Sequence, residues 1–120
     1  MDVTESYEGT DFYCDVAIPH PDQLAVVHES AQVLAYHHTR PSWEVHVVVV
    51  PKRHIPSLTS LVESDEPLVR ELLSAIQVVA RTLERSHGAA RVITNLGAYQ
   101  DSKHFHVHIV SGTRLEPPPN

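Results

Sequence analysis

The sequence has a single cysteine, Cys14, so it can form no intramolecular disulfide, and a reducing compartment suits it. It is poor in cations: 9 Lys and Arg stand against 15 Asp and Glu, for a formal net charge of -6 with histidines neutral. Such a chain lacks the clustered basic face that long nucleic acid requires, although a few local donors suffice to hold one phosphate ester. It has no apolar run near the roughly 20 residues that span a bilayer, so no membrane association is expected. Residues 1–10 are acidic and polar, without the basic and apolar regions of a signal peptide. They read as a flexible tail, and the expected location is cytoplasmic. There is no internal repeat and no linker. What remains is 120 residues, 42% apolar and 20% charged, the profile of one ordinary globular domain.

One count is unusual: there are 10 histidines, scattered rather than gathered in a terminal tag. Imidazole titrates near neutral pH and serves as base, nucleophile or metal ligand. Their setting follows from the element pattern. The runs 24–29 and 32–36 are β-prone and joined by Ser30-Ala31 as a tight hairpin. Pro41 keeps 37–42 a loop. The valine run 45–50 suits a central, buried strand ended by Pro51. Ser64 or Asp65 can cap a helix over 66–86, with Pro67 in its first turn. Leu68, Leu72, Leu73, Ile76, Val79, Ala80 and Leu83 form its apolar stripe, and Gly88 its left-handed stop. A strand over 91–94, a loop over 95–103 and a strand over 104–111 complete the domain, and the Pro-rich tail 117–120 lies beyond it. The predicted class is α+β, a five-stranded, mostly antiparallel sheet with one long helix on one face.

On the last strand, side-chain alternation puts His104, His106 and His108 on one face, roughly 7 Å apart, and Phe105, Val107 and Ile109 in the core. Adjacent imidazoles are poor core material, because their nitrogens need partners. Three readings fit: a wet sheet face, a metal site, or covalent catalysis at phosphorus, in which one imidazole attacks, a neighbour fixes its tautomer and another donates to the leaving atom. His20, His28, His37 and His87 read as surface residues.

The segment His104-Phe-His-Val-His-Ile-Val110 resembles the signature of the histidine triad (HIT) superfamily. Two further blocks agree in order: Val45-His46 through Pro51-Lys-Arg-His54-Ile55, and Asn95…Gln100…His104. The resemblance covers residues 11–116 and is closest in character to the Hint-like branch. It implies a sheet that continues across a homodimer. It also implies a nucleotide hydrolase or nucleotidyl transferase acting on a small purine nucleotide of AMP or GMP type, as a phosphoramidate or ester. Dinucleoside polyphosphates, or nucleotide binding without turnover, are the alternatives.

By the same resemblance, His106 is the nucleophile that forms a nucleotidyl-histidine. His104 orients it through its main-chain carbonyl, His108 contacts the phosphate and the departing group, and His46 is the fourth catalytic histidine. Asn95, Gln100 and Ser102 would bind phosphate or ribose, Tyr36 would line a base pocket, and His54 is structural. His38 stands where the family usually carries an aspartate for the ribose hydroxyls, so an acceptor has become a group that can donate. Asp101 stands where a leaving-group serine is usual, with Ser102 beside it and Lys103 as a partner for the carboxylate. No cofactor is required. Some members bind zinc through Cys-x-x-Cys and two histidines. Asp11, Cys14, His54 and His104 occupy those positions here, and with an aspartate replacing one thiolate the expectation is a protein without metal.

Overall fold

The computed structural model describes residues 11–115. The predicted tails, including residues 1–10 and 117–120, lie outside them. Five strands form one sheet in the order β1-β2-β3-β5-β4: β1 is Val26–Glu29, β2 Val33–His37, β3 Trp43–Pro51, β4 Arg91–Ile93 and β5 Val107–Arg114. Every pairing is antiparallel. The sole α-helix among the described residues, α1, is Glu66–His87. The hairpin turn expected at Ser30-Ala31 is closed by Ser30 N–H donating to the Val33 carbonyl at 2.9 Å.

The sheet separates two cores. On the helix side, Leu68, Leu72, Ala75, Val79 and Leu83 of α1 pack on Val33, Ala35, Val47, Val49, Phe105, Val107 and Ile109. Leu73, assigned to the stripe from spacing, is 53% exposed, and Ala75 takes the buried place. On the opposite side, Leu34, Tyr36, Val48 and Val50 are covered by Tyr13 and Ala17 of a short π-turn, Tyr13–Ala17. His28, read as surface, is half buried.

The helix begins at Asp65, but without a side-chain cap. The Asp65 carboxylate instead accepts from Val62 N–H at 2.9 Å and pairs with Arg53, tying the connection 52–65 together. The helix ends as expected, at Gly88 with φ +83°, a region that glycine enters without a steric cost.

The main departure from the expected fold is the start of β5, which begins at Val107 rather than His104. The reason is Pro51. The ladder pairs Val49 with Val107. Two residues further along, Pro51 has no N–H to give. Its own carbonyl, the acceptor that Phe105 N–H would meet in a regular ladder, is taken by His104 Nε2–H at 2.9 Å, and Phe105 N–H turns to the Ile55 carbonyl at 2.6 Å. The face pattern survives, with Phe105, Val107 and Ile109 in the helix-side core. The main chain at His104–His106 is thereby released from the ladder just before the strand forms.

A candidate active site of four imidazoles

The site is built on the face opposite α1. His46 pairs with Val110 and Val48 with His108, so His46 and His108 stand on the same face of adjacent strands. His46 Nε2 and His108 Nδ1 are 2.9 Å apart. His38 extends the β2 edge, its N–H donating to the His46 carbonyl at 2.8 Å. Its ring lies 4.4 Å from that of His46. The His106 ring is perpendicular to His108 at 4.8 Å.

Main-chain partners decide where each proton sits, because a backbone N–H can only donate and a carbonyl can only accept. Ser42 N–H donates to His46 Nδ1 at 2.9 Å, so the His46 proton is on Nε2. That Nε2–H donates to His108 Nδ1, which puts the His108 proton on its own Nε2. His106 Nδ1–H donates to the His104 carbonyl at 2.7 Å, leaving His106 Nε2 with a bare lone pair. Thr94 Oγ1–H donates to the His106 carbonyl at 2.8 Å and steadies the same main chain. The result is an unprotonated nitrogen next to a protonated one. Burial, reinforced by the neighbouring imidazoles, pushes His46 down to about 4 and His108 to about 3. Burial likewise lowers His106, against the opposing pull of its bond to the His104 carbonyl. These rings are neutral at neutral pH.

The His104 side chain does a different job. It is fully buried. Its Nε2–H donates to the Pro51 carbonyl at 2.9 Å, so its Nδ1 lone pair faces Cys14 Sγ at 3.2 Å and Asp11 Oδ2 at 3.3 Å. His54 Nδ1 reaches the same Asp11 oxygen at 2.8 Å and Cys14 Sγ at 3.6 Å. Four ligand atoms, one O, one S and two N, thus lie within 4.8 Å of one another. The set fits a tetrahedral Zn²⁺, and the carbonyl behind His104 is the usual outer partner of a metal-binding imidazole. Burial and the Asp11 carboxylate push the Cys14 thiol up to about 11, the direction that keeps it protonated when no cation is bound. Between Asp11 and Cys14 sits Tyr13, whose ring packs on His106 at 5.0 Å and on His104 at 5.5 Å.

Other residues singled out from sequence are placed less directly. Tyr36 is 1% exposed and lies in the core with Tyr13, so it offers no surface to a ligand. Gln100 is buried, with its Nε2 donating to the Pro56 carbonyl at 2.7 Å, which fastens one loop to another. Asn95 is half buried after β4. Asp101 is exposed, and Lys103 does not pair with it but donates to the carbonyls of Gly97 and Gln100, each at 2.8 Å. The Ser102 hydroxyl is buried with no hydrogen-bond partner among the described residues. Sequence reasoning missed Tyr13, Thr94 and the amide of Ser42. No spacing rule marks them, because each acts through a contact made only in the folded chain.

A five-stranded antiparallel sheet backed by one helix, with alternate histidines at the head of an inner strand, defines the histidine triad class. Residues 11–116 match the family described as scavenger mRNA decapping enzyme C-term binding, and the chain belongs to the HIT superfamily. It is 33% identical over 97 residues to an uncharacterised HIT-like protein of Synechocystis, covering 79% of this chain and 84% of that one. Among solved structures, a HIT family hydrolase from Clostridium thermocellum is 26% identical with a TM-score of 0.75, covering 93% of this chain and 98% of its own. A histidine triad protein from Clostridium difficile is 28% identical with a TM-score of 0.70, covering 94% of this chain and 99% of its own.

The neutral imidazoles make the fold sensitive to acid. Burial first, then the neighbouring imidazoles and Arg40, push His38 down to about 4; burial and the neighbouring imidazoles push His46 to about 4 and His108 to about 3. Below the ordinary imidazole value of about 6.5 the unfolded chain takes up protons that the folded chain refuses. Stability is therefore full above that value and falls as pH drops toward 4, by up to about 1.4 kcal/mol per pH unit for each imidazole. Urea midpoints measured from pH 8 to pH 4 are expected to decline across this window. A flat profile would show the three rings to be charged in the native state.

Proposed function

We propose that this protein is a nucleotide hydrolase or nucleotidyl transferase. It acts at the α-phosphate of a purine nucleotide phosphoramidate or ester through a covalent intermediate on His106. The observation that supports this reading most is the bare Nε2 of His106, held in that tautomer by the His104 carbonyl at 2.7 Å, beside the Nε2–H of His108. A nucleophile oriented by one group and flanked by a donor is the arrangement that covalent catalysis requires.

In the first step His106 Nε2 forms a bond to phosphorus and the bond from phosphorus to the leaving nitrogen or oxygen breaks. The phosphate's negative charge offsets the burial that depresses the imidazoles. His108 Nε2–H can hydrogen-bond the leaving atom, while solvent supplies the proton that atom takes up. In the second step water attacks the nucleotidyl-histidine, its surplus proton passes to solvent, and the monophosphate leaves with His106 restored. The Ser102 hydroxyl, buried without a partner among the described residues, is available to a substrate oxygen. Incubation with adenosine 5′-phosphoramidate is expected to release AMP, and His106→Ala to lower the rate by roughly three orders of magnitude or more. If neither protein turns it over while both bind AMP, the chain is a nucleotide-binding module. If a dinucleoside polyphosphate is cleaved in its place, the leaving group is a nucleotide.

A Zn²⁺ at Asp11, Cys14, His54 and His104 would be structural. It would supply charge neutralisation and pin the N-terminal turn that carries Tyr13. Purified protein is expected to contain about one zinc per chain by elemental analysis, and Cys14→Ala to lose it and melt at lower temperature. Metal-free protein with an unchanged melt would leave the cluster held by its own protons.

We further read the chain as a homodimer. β4 is one of the two edge strands of the sheet, and Val92 on it is 52% exposed beside a depression lined by Gln77, Ala80, Arg81, Glu84 and Ala90. Leu73 and Val78 leave further apolar surface on α1. An edge strand with apolar neighbours is a pairing surface. Light scattering at micromolar concentration is expected to give twice the chain mass for the wild type and a shift to monomer for Val92→Glu. A monomeric wild type would overturn this reading.

A further inference from the structure

Resting on the nucleotidyl-transfer reading, we propose that His38 is a specificity-determining residue. It is a fixed N–H donor that selects substrates carrying a second phosphate beside the one His106 attacks. The argument begins with the loop between β2 and β3, which delivers two amides to two imidazoles. Arg40 N–H donates to His38 Nδ1 at 2.9 Å, as Ser42 N–H does to His46 Nδ1 at the same distance. Both rings therefore carry their proton on Nε2. The His46 proton is committed to His108. The Nε2–H groups of His38 and His108 have no hydrogen-bond partner among the described residues, and neither nitrogen is among the sealed, unpartnered polar atoms. Both are thus open donors, on rings 5.9 Å apart.

The three rings could be mistaken for a metal site, since a nitrogen of each lies within 4.8 Å of the others. The proton positions argue otherwise. A metal needs a lone pair, and the Nδ1 lone pairs of His38 and His46 are already engaged by amides. Turning Nε2 into a ligand on either ring would move its proton to Nδ1, facing a backbone N–H. That orphans a backbone amide behind each ring, a cost that metal binding would have to overcome. The Asp11 cluster is opposite in character, for there the His104 lone pair already faces the other ligands.

Two open N–H donors call for an acceptor with several lone pairs. The charges around them favour an anion. The one permanently charged group acting on His38 is the cation Arg40, whereas the carboxylates Asp11 and Asp101 act on His106. The rings themselves are neutral, so no proton has to be lost or gained when an anion arrives. A phosphate group can meet both donors through its several oxygens and gains charge assistance, which a hydroxyl does not. The second phosphate can lie on the leaving side, as in a nucleoside diphosphate, or on the sugar, as a second ester.

The test needs no turnover, so it stands apart from the fate of His106→Ala. Long-range proton–nitrogen NMR spectra of the wild type are expected to show His38 as the Nε2–H tautomer at pH 7. The Nδ1–H tautomer would overturn the proposal. Calorimetry with AMP, ADP and adenosine 3′,5′-bisphosphate is expected to show one of the latter two binding about tenfold or more tighter than AMP. A preference for ADP puts the acceptor on the leaving side, and a preference for the bisphosphate puts it on the sugar. His38→Asp should abolish the preference, and His38→Asn, which keeps an N–H donor, should retain part of it. Equal binding of the three nucleotides to the wild type, or a preference that survives in His38→Asp, overturns the assignment.

Discussion

The site depends on the missing N–H of Pro51. An antiparallel ladder that ran on past Val49 and Val107 would hold residue 105 in the same flat pleat as the rest of β5. Pro51 has no N–H to offer the Phe105 carbonyl, and its own carbonyl accepts from the buried His104 ring, so Phe105 N–H goes to Ile55 instead. The main chain at His104 is left free to aim its carbonyl at His106 Nδ1, 2.7 Å away. One proline thus ends the sheet, anchors His104 by its side chain and leaves the His104 carbonyl to set the tautomer of the neighbouring ring. A regular strand would have presented three equivalent imidazoles. The interrupted one gives His104 and His106 opposite environments.

Desolvation supplies the second half of the design. The face that carries the histidines is continuous with an apolar core of Leu34, Tyr36, Val48 and Val50, closed over by Tyr13 and Ala17. Imidazoles set at the border of such a core lose water on one side and so favour the neutral form. Neutrality alone would leave the protons free to swap between ring nitrogens. The amides of Arg40 and Ser42 and the carbonyls of His104 and Pro51 remove that freedom. The backbone, whose hydrogen-bonding sense never changes with pH, is what gives each ring a direction.

Much of this was legible in the sequence, and the limit falls at a definite place. Period-two alternation put His106 and His108 on one face and Phe105, Val107 and Ile109 in the core, because side-chain direction survives even where the ladder does not. The valine run and the helix with its Gly88 stop were equally plain. What alternation cannot show is where hydrogen bonds go when two segments 50 residues apart in sequence meet, a separation visible in the bond from His104 to Pro51. For the same reason Tyr36 went to the core. Local competition has its own part: the Asp65 carboxylate turned back to Val62 rather than capping α1, and Lys103 took the carbonyls of its own loop rather than Asp101. In each case a local rule named a residue fitted for a task, and another partner in the folded chain took it for a different one.

The two histidine clusters show how far composition can mislead about metals. Each gathers three or four ligand-type residues at similar spacing. They differ in which ring nitrogen the backbone has already engaged. At His104 the carbonyl of Pro51 takes the proton side, so the lone pair points inward at a carboxylate and a thiol, an arrangement that a cation would complete. At His38 and His46 backbone amides take the lone-pair side, so the protons point inward and an acceptor completes it. The same side chain thus prepares one end of the site for a cation and the other for an anion. The identity of the main-chain group behind each ring distinguishes the two ends.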